Sequence, residues 1–146
     1  MILDKRTEFA SALALNTGAP ATFNIGDVID LTTARDIGNG KDVWWYFRMI
    51  TAATSGGAAT LNAQLVTDDN AGMASPTVIA DSGALALAAL AAGSLVMMVT
   101  VPLIRVPERY LGIRQITGTA AFTGGTFSSG LTLDPQKWLA IADGVN

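Results

Sequence analysis

The side chains in this sequence that could do chemistry are carboxylates, hydroxyls and aromatics, because it contains neither Cys nor His. Without Cys no disulfide framework or thiolate metal site can form, and nothing reports a redox compartment. Without His the commonest general base and the commonest transition-metal ligand are both missing. Asp68-Asp69-Asn70 could offer oxygen ligands to calcium, but no EF-hand spacing follows, and a turn uses the same residues. Asp27 with Asp30, or Asp36 with Asp42, could be the carboxylate pair of a glycoside hydrolase, yet any acidic sequence offers such pairs and nothing fixes their separation. Ser128 and Ser129 have no His to activate them, and Lys5, Lys41 and Lys137 show no SxxK-like pairing. The segments GNGKD and TGGT lack the strand-to-helix context in which a glycine-rich loop cradles phosphate. We therefore expect no catalysis, no cofactor and no bound metal.

Binding is the remaining chemistry. The densest aromatic stretch, VWWYFRMI at 43–50, would place Val43, Trp45, Phe47 and Met49 on one side of a strand and Trp44, Tyr46, Arg48 and Ile50 on the other. One side must face the core. The other is either covered by the chain's own loops or is a contact surface, since Trp, Tyr and Arg dominate interface hot spots. Arg48 in such a row needs a carboxylate or carbonyl partner. In RYLGIRQIT at 109–117, Leu111 and Ile113 alternate with Tyr110, Gly112 and Arg114, whose face is exposed or binds something. The tail from 136 carries Trp138, Leu139 and Ile141 as a covering strand or an arm, and the opening residues, Met1, Ile2 and Leu3 among them, read as an extended arm or first strand. The candidate interface residues are thus Met1, Ile2, Leu3, Trp44, Tyr46, Arg48, Arg114 and Trp138.

The elements that must position these residues are strands. Residues 58–82 show the clearest pattern: Ala59, Leu61, Ala63 and Leu65 alternate with Thr60, Asn62 and Gln64, then Asp68, Asp69, Asn70 and Gly72 make a turn, and Pro76 leads to a second strand at Val78 and Ile79. Upstream, Thr7, Phe9, Ser11, Leu13 and Leu15 alternate with Glu8, Ala10, Ala12 and Ala14. Residues 23–31 resemble a strand with a bulge near Gly26 and Asp27, and Asn39-Gly40 is a strong turn signal. Downstream, 85–92 suits a short helix and 94–101 a buried strand. In the last clear strand Phe127, Leu131 and Leu133 mark the apolar side, and Asp134-Pro135 ends it. About eight short strands with regular turns predict an all-β jelly-roll sandwich with one short helical turn, occupying 1–146 as a single domain with possible arms at 1–8 and 136–146.

Composition agrees. A chain of 146 residues with 50% hydrophobic content suits one domain with a real core, and with only 14% charged residues and 15 glycines its surface must rely on Ser, Thr, Asn and backbone. A formal charge of −3 with scattered basic residues gives no footprint for nucleic acid. The start, with Lys5 and Arg6 before an apolar run, faintly imitates a signal peptide, but Asp4 and Glu8 interrupt it. The uncharged stretch 83–104 is long enough to span a bilayer, yet Gly93, Ser94, Thr100 and Pro102 break it up, and we expect no membrane segment.

Four segments, MILDKRTEF, TTARDIGNGKDVWWYF, AATLNAQLVTDDNAGMASPTVIADSGA and RYLGIRQITGTAAFTGGTFSSGLTLD, resemble the capsid cement proteins of tailed bacteriophages. The resemblance covers most of the chain and implies a jelly roll that binds the outside of the phage head, with the major capsid protein as partner and the virion as location. Interface details are expected to vary at Trp44-Trp45-Tyr46. A strand apolar on both sides and an apolar tail further suggest a homo-oligomer, a dimer or trimer. The competing reading is a carbohydrate- or receptor-binding sandwich of a phage tail or adhesin, with Trp44, Trp45 and Tyr46 as a sugar platform.

Overall fold

A computed structural model describes residues 5–34, 37, 41–101 and 107–133. The expected arm ends at 1–4 and 136–146, with Met1, Ile2, Leu3 and Trp138, lie outside the described residues, as do Asp36 and the Asn39-Gly40 turn.

The strands are β1 (Glu8–Ala14), β2 (Thr22–Asp30), β3 (Trp44–Ser55), β4 (Thr60–Asp68), β5 (Thr77–Asp81), β6 (Leu85–Ala86), β7 (Leu95–Thr100), β8 (Tyr110–Gly118) and β9 (Phe122–Thr132). They form two antiparallel sheets, A in the order β1-β9-β3-β7 and B in the order β2-β8-β4-β5, with β6 also paired to β4. Leaving out the two-residue β6, the pairs β1 with β9, β2 with β8, β3 with β7 and β4 with β5 are those of one long hairpin folded over on itself. Its tip is the β4–β5 turn that the sequence marks most clearly. Rolling that hairpin brings β3 against β9 and β4 against β8, closing each sheet. This is the connectivity of a jelly roll.

The core lies between the sheets. Trp45, Phe47 and Met49 supply it from β3, Leu61, Ala63 and Leu65 from β4, Leu111 and Ile113 from β8, and Phe127 and Leu131 from β9. Phe47 and Phe127 stack with centroids 4.5 Å apart and planes 9° apart. The one polar group on the Trp45 indole is satisfied inside: Trp45 Nε1 donates to Ser129 Oγ at 3.0 Å, and that hydroxyl donates to the Tyr46 carbonyl at 2.7 Å. At one end of the core Gln115, fully buried, closes a loop by accepting from the Asn16 N–H and donating to the Asn16 carbonyl and to Thr117 Oγ1. A buried amide must be bonded in this way or it costs stability.

Bulges shape the strands. In β2 the ladder shifts between Ile25 and Ile29, and Gly26 takes φ +69 with the Phe9 carbonyl oxygen 2.5 Å from where a Cβ would stand. Only glycine fits there, as the sequence signal at Gly26 and Asp27 suggests.

Four expectations change. The alternation read in β1 holds at Phe9 and Leu15 but not at Leu13, which is 39% exposed, because the ladder shifts between Ala10 and Leu13 around Ala12 at φ 50, whose N–H bonds Ser128 Oγ. The helix expected at 85–92 is a short strand, β6, followed by one 3-10 turn, Leu87–Ala89; a second such turn, Lys5–Thr7, precedes β1. Alanine-rich segments this short do not hold a helix when strand pairing competes. β7 is half-buried rather than buried, being an edge strand of sheet A. Leu133 is 62% exposed, because it follows the last paired residue of β9 instead of continuing its apolar side. Among the described residues no helix is long and apolar enough to cross a membrane.

Candidate interaction surface

Two of the acidic sites named from sequence are absorbed by structure. Asp30 forms a two-pronged pair with Arg109, Nε to Oδ1 at 3.0 Å and Nη2 to Oδ2 at 2.9 Å, and accepts the Thr32 N–H. Its partner arginine, and then the Thr32 amide, hold its pKa below the usual carboxylate range. Asp68 accepts the backbone N–H of Asn70 on one oxygen and that of Ser75 on the other, and Asn70 Oδ1 accepts the Gly72 N–H. Those amides lower the Asp68 pKa. Glu108 joins Asp68 and Asp69 with carboxylate oxygens within 4.8 Å of one another, a grouping the sequence does not reveal because Glu108 comes from the segment before β8. The turn accounts for the position of Asp68 by itself.

On sheet A the alternation of β3 is as read: Trp45, Phe47 and Met49 point into the core, and Trp44, Tyr46 and Arg48 lie on the outer face. Tyr46 is nonetheless buried. Its ring and hydroxyl lie 3.1 and 2.9 Å from where a Cβ on Gly130 would stand, and the Thr7 carbonyl closes in at 2.9 Å from the same point. A glycine opposite the tyrosine is what lets the ring lie flat on β9. Burial, and then the charge of Glu8, push the phenol up to about 12. Trp44 and Arg48 stay half-buried on either side of it. Arg48 Nε donates to the Gly93 carbonyl at 3.4 Å, the kind of partner expected of it; Leu95, its partner across the β3–β7 ladder, and Ile50, two residues on, are both exposed. On this outer face Arg48 thus has Leu95 beside it in the register, while Trp44 lies four residues away along β3, beyond the buried Tyr46.

On sheet B the outer face carries a polar row that runs through all four strands in register: Asn24 on β2, Arg114 on β8, Gln64 on β4 and Asp81 on β5. Asp81 Oδ2 accepts from Gln64 Nε2 at 2.6 Å and from Asn62 Nδ2 at 3.3 Å, while Oδ1 accepts the Gly83 N–H. Gln64 above all lowers its pKa. Beside this row the β4–β5 turn folds back over the sheet. Met73, at φ 50, is buried with its Cε 2.9 Å from the Cβ position of Gly112, and its carbonyl accepts from Asn24 Nδ2 at 3.5 Å. Val66, paired with Gly112, is fully buried on this outer side for the same reason. So the face of Tyr110, Gly112 and Arg114 is covered at its middle and open around Arg114, which sequence reasoning missed because nothing local says where a turn will lie.

Among the candidate residues the structure therefore groups Trp44, Tyr46 and Arg48 on one outer face and sets Arg114 on the opposite one. One consequence can be measured at once. For Asp30, Asp68 and Asp81 the folded pKa is lowered, so their contribution is present above the unfolded value of about 4 and is lost as pH falls through the lower folded values. For Tyr46 the folded pKa is raised, so its contribution is present below about 10 and is lost as pH rises toward about 12. With no His to titrate between them, the thermal midpoint should be level from about pH 5 to 8 and fall on both sides. A midpoint that climbs between pH 5 and 3 would contradict these assignments.

No curated protein matches the chain. The family model Bbp16 matches residues 9–131, a span that begins in β1 and runs into β9 and so takes in nearly all of both sheets. The chain belongs to the Bbp16 family, which is phage-related.

Proposed function

We propose that the chain is a capsid cement protein, bound to the outer surface of a phage head, where it bridges subunits of the major capsid protein and resists their separation. The observation that carries this reading is the placement of contact side chains on both outer faces of one small sandwich, Trp44 and Arg48 on sheet A and Arg114 on sheet B, in a phage-related family. A subunit with two opposed contact faces can touch two neighbours at once. It then stabilises the shell by mass action and avidity, because it must be released before they part, and it needs no reactive centre to do so. The sequence segments that resemble cement proteins point the same way. The sugar-platform alternative needs an exposed row of Trp44, Trp45 and Tyr46, whereas Trp45 and Tyr46 are buried and Trp44 stands alone. Homo-oligomerisation, as a dimer or trimer, is part of the proposal.

Co-sedimentation tests it. The full chain should pellet with expanded shells of its own phage and not with free major capsid protein, because several capsomers together make the site, and sedimentation velocity should show a dimer or trimer. Equal binding to free capsid protein, or binding to a glycan array without binding to shells, would overturn the reading.

A further inference from the structure

We propose that Arg114 is the anchor of the sheet B contact and that its occupant is a carboxylate side chain, Asp or Glu, presented by the capsid protein; this rests on the cement reading above. Arg114 Nε is buried and has no hydrogen-bond partner among the described residues. A buried donor of a charged group left unmet is a cost the fold alone gives no reason to keep. The neighbours could have met it and do not. Asn24 and Gln64 stand directly beside Arg114 in the register, but neither amide oxygen accepts from Nε, and their NH2 groups are turned to the Met73 carbonyl and to Asp81. Asp81, the acid of the same row, lies two strands away, about 9 to 10 Å by sheet spacing, with both oxygens already accepting. Asp30 on β2 is already paired with Arg109, and among the described residues no ion pair involves Arg114.

The surroundings are those of a prepared site. Met73 covers Gly112, two residues before Arg114 on the same face, and so removes water from one flank while leaving the residue half-exposed on the other. The ladder bonds of β2, β8 and β4 on either side fix the backbone from which the arginine projects. Nε itself is closed to an incoming group, so a carboxylate would meet the two terminal Nη groups of the guanidinium in two-point geometry, which a lysine would not reproduce. The chain's net charge of −3 makes a single uncompensated arginine on this face a local exception, which favours one defined acidic contact over general attraction to an anionic surface.

The test separates this claim from the cement reading. Wild type, Arg114→Leu and Arg114→Lys are compared for thermal midpoint as free full-length protein and for binding to expanded shells. The proposal expects Arg114→Leu to keep or raise the midpoint, since it removes the unmet donor, while binding falls about 30-fold or more. Arg114→Lys should recover only part of the binding. Wild type that binds shells while Arg114→Leu binds equally well overturns the proposal and leaves the cement reading standing, and a clear drop in the Arg114→Leu midpoint overturns it by making the residue structural. Wild type that does not bind shells overturns both.

Discussion

Replacing Trp45 with alanine should cost about 3–5 kcal/mol, which is much or all of the stability of a small domain, whereas the same change at its neighbour Trp44 should cost about 1 kcal/mol. The two indoles are adjacent in sequence and opposite in role. Trp45 is fully buried in the core and carries the hydrogen bond to Ser129 Oγ, so its removal leaves a cavity between the sheets and strips one partner from a buried hydroxyl that is otherwise tied to the Tyr46 carbonyl. Trp44 lies half-buried on the outer face, opposite Thr132 on one side and Thr100 on the other. Denaturant unfolding of the two variants gives the comparison directly. On the proposed function the order reverses in a binding assay: Trp44→Ala stays folded and attaches weakly to shells, because an aromatic anchor has gone. Similar stability losses for both variants would mean that the faces of β3 have been assigned wrongly. Trp45→Phe, which keeps most of the volume and loses the indole donor, should fall between Trp45→Ala and wild type.

How far the sequence discloses this arrangement depends on whether a residue's fate is decided by its own strand or by something that arrives from elsewhere. The two sides of β3 are legible because strand geometry alone sends Trp45, Phe47 and Met49 one way and Trp44, Tyr46 and Arg48 the other. The β4–β5 turn is legible because Asp68, Asn70 and Gly72 make their own local bonds, and the bulge in β2 because only glycine suits it. Leu13 and Leu133 are misread because a ladder shift and a strand end intervene, both set by pairing with or departure from partners far away in the chain. The burial of Tyr46 depends on Gly130, eighty-odd positions later, and on the Thr7 carbonyl, and the cover over Gly112 depends on which way a turn folds. The candidate site follows the same division. Trp44, Arg48 and Arg114 can be picked out by type and alternation, but the register that strings Asn24, Arg114, Gln64 and Asp81 into one row comes from three strand pairings that no single segment encodes.

If the chain holds a phage head together from outside, as proposed, the load it resists is the pressure of packaged DNA. If subunits with two contact faces bridge neighbouring capsomers, each one adds a small free energy to the shell, and the sum over many copies delays rupture on heating. The protein should matter for survival of the particle and not for its assembly. Phage particles carrying the wild-type chain, particles carrying Trp44→Ala and particles lacking the protein should assemble in similar yield and then separate on heating. Bare particles should release DNA at the lowest temperature, wild-type particles at the highest, and Trp44→Ala particles between them, with the differences widening at low ionic strength, where DNA self-repulsion is least screened. The measurement is heat-induced DNA release from these three preparations, followed by dye fluorescence against temperature. The account predicts three release temperatures in that order, and one common release temperature for all three would contradict it.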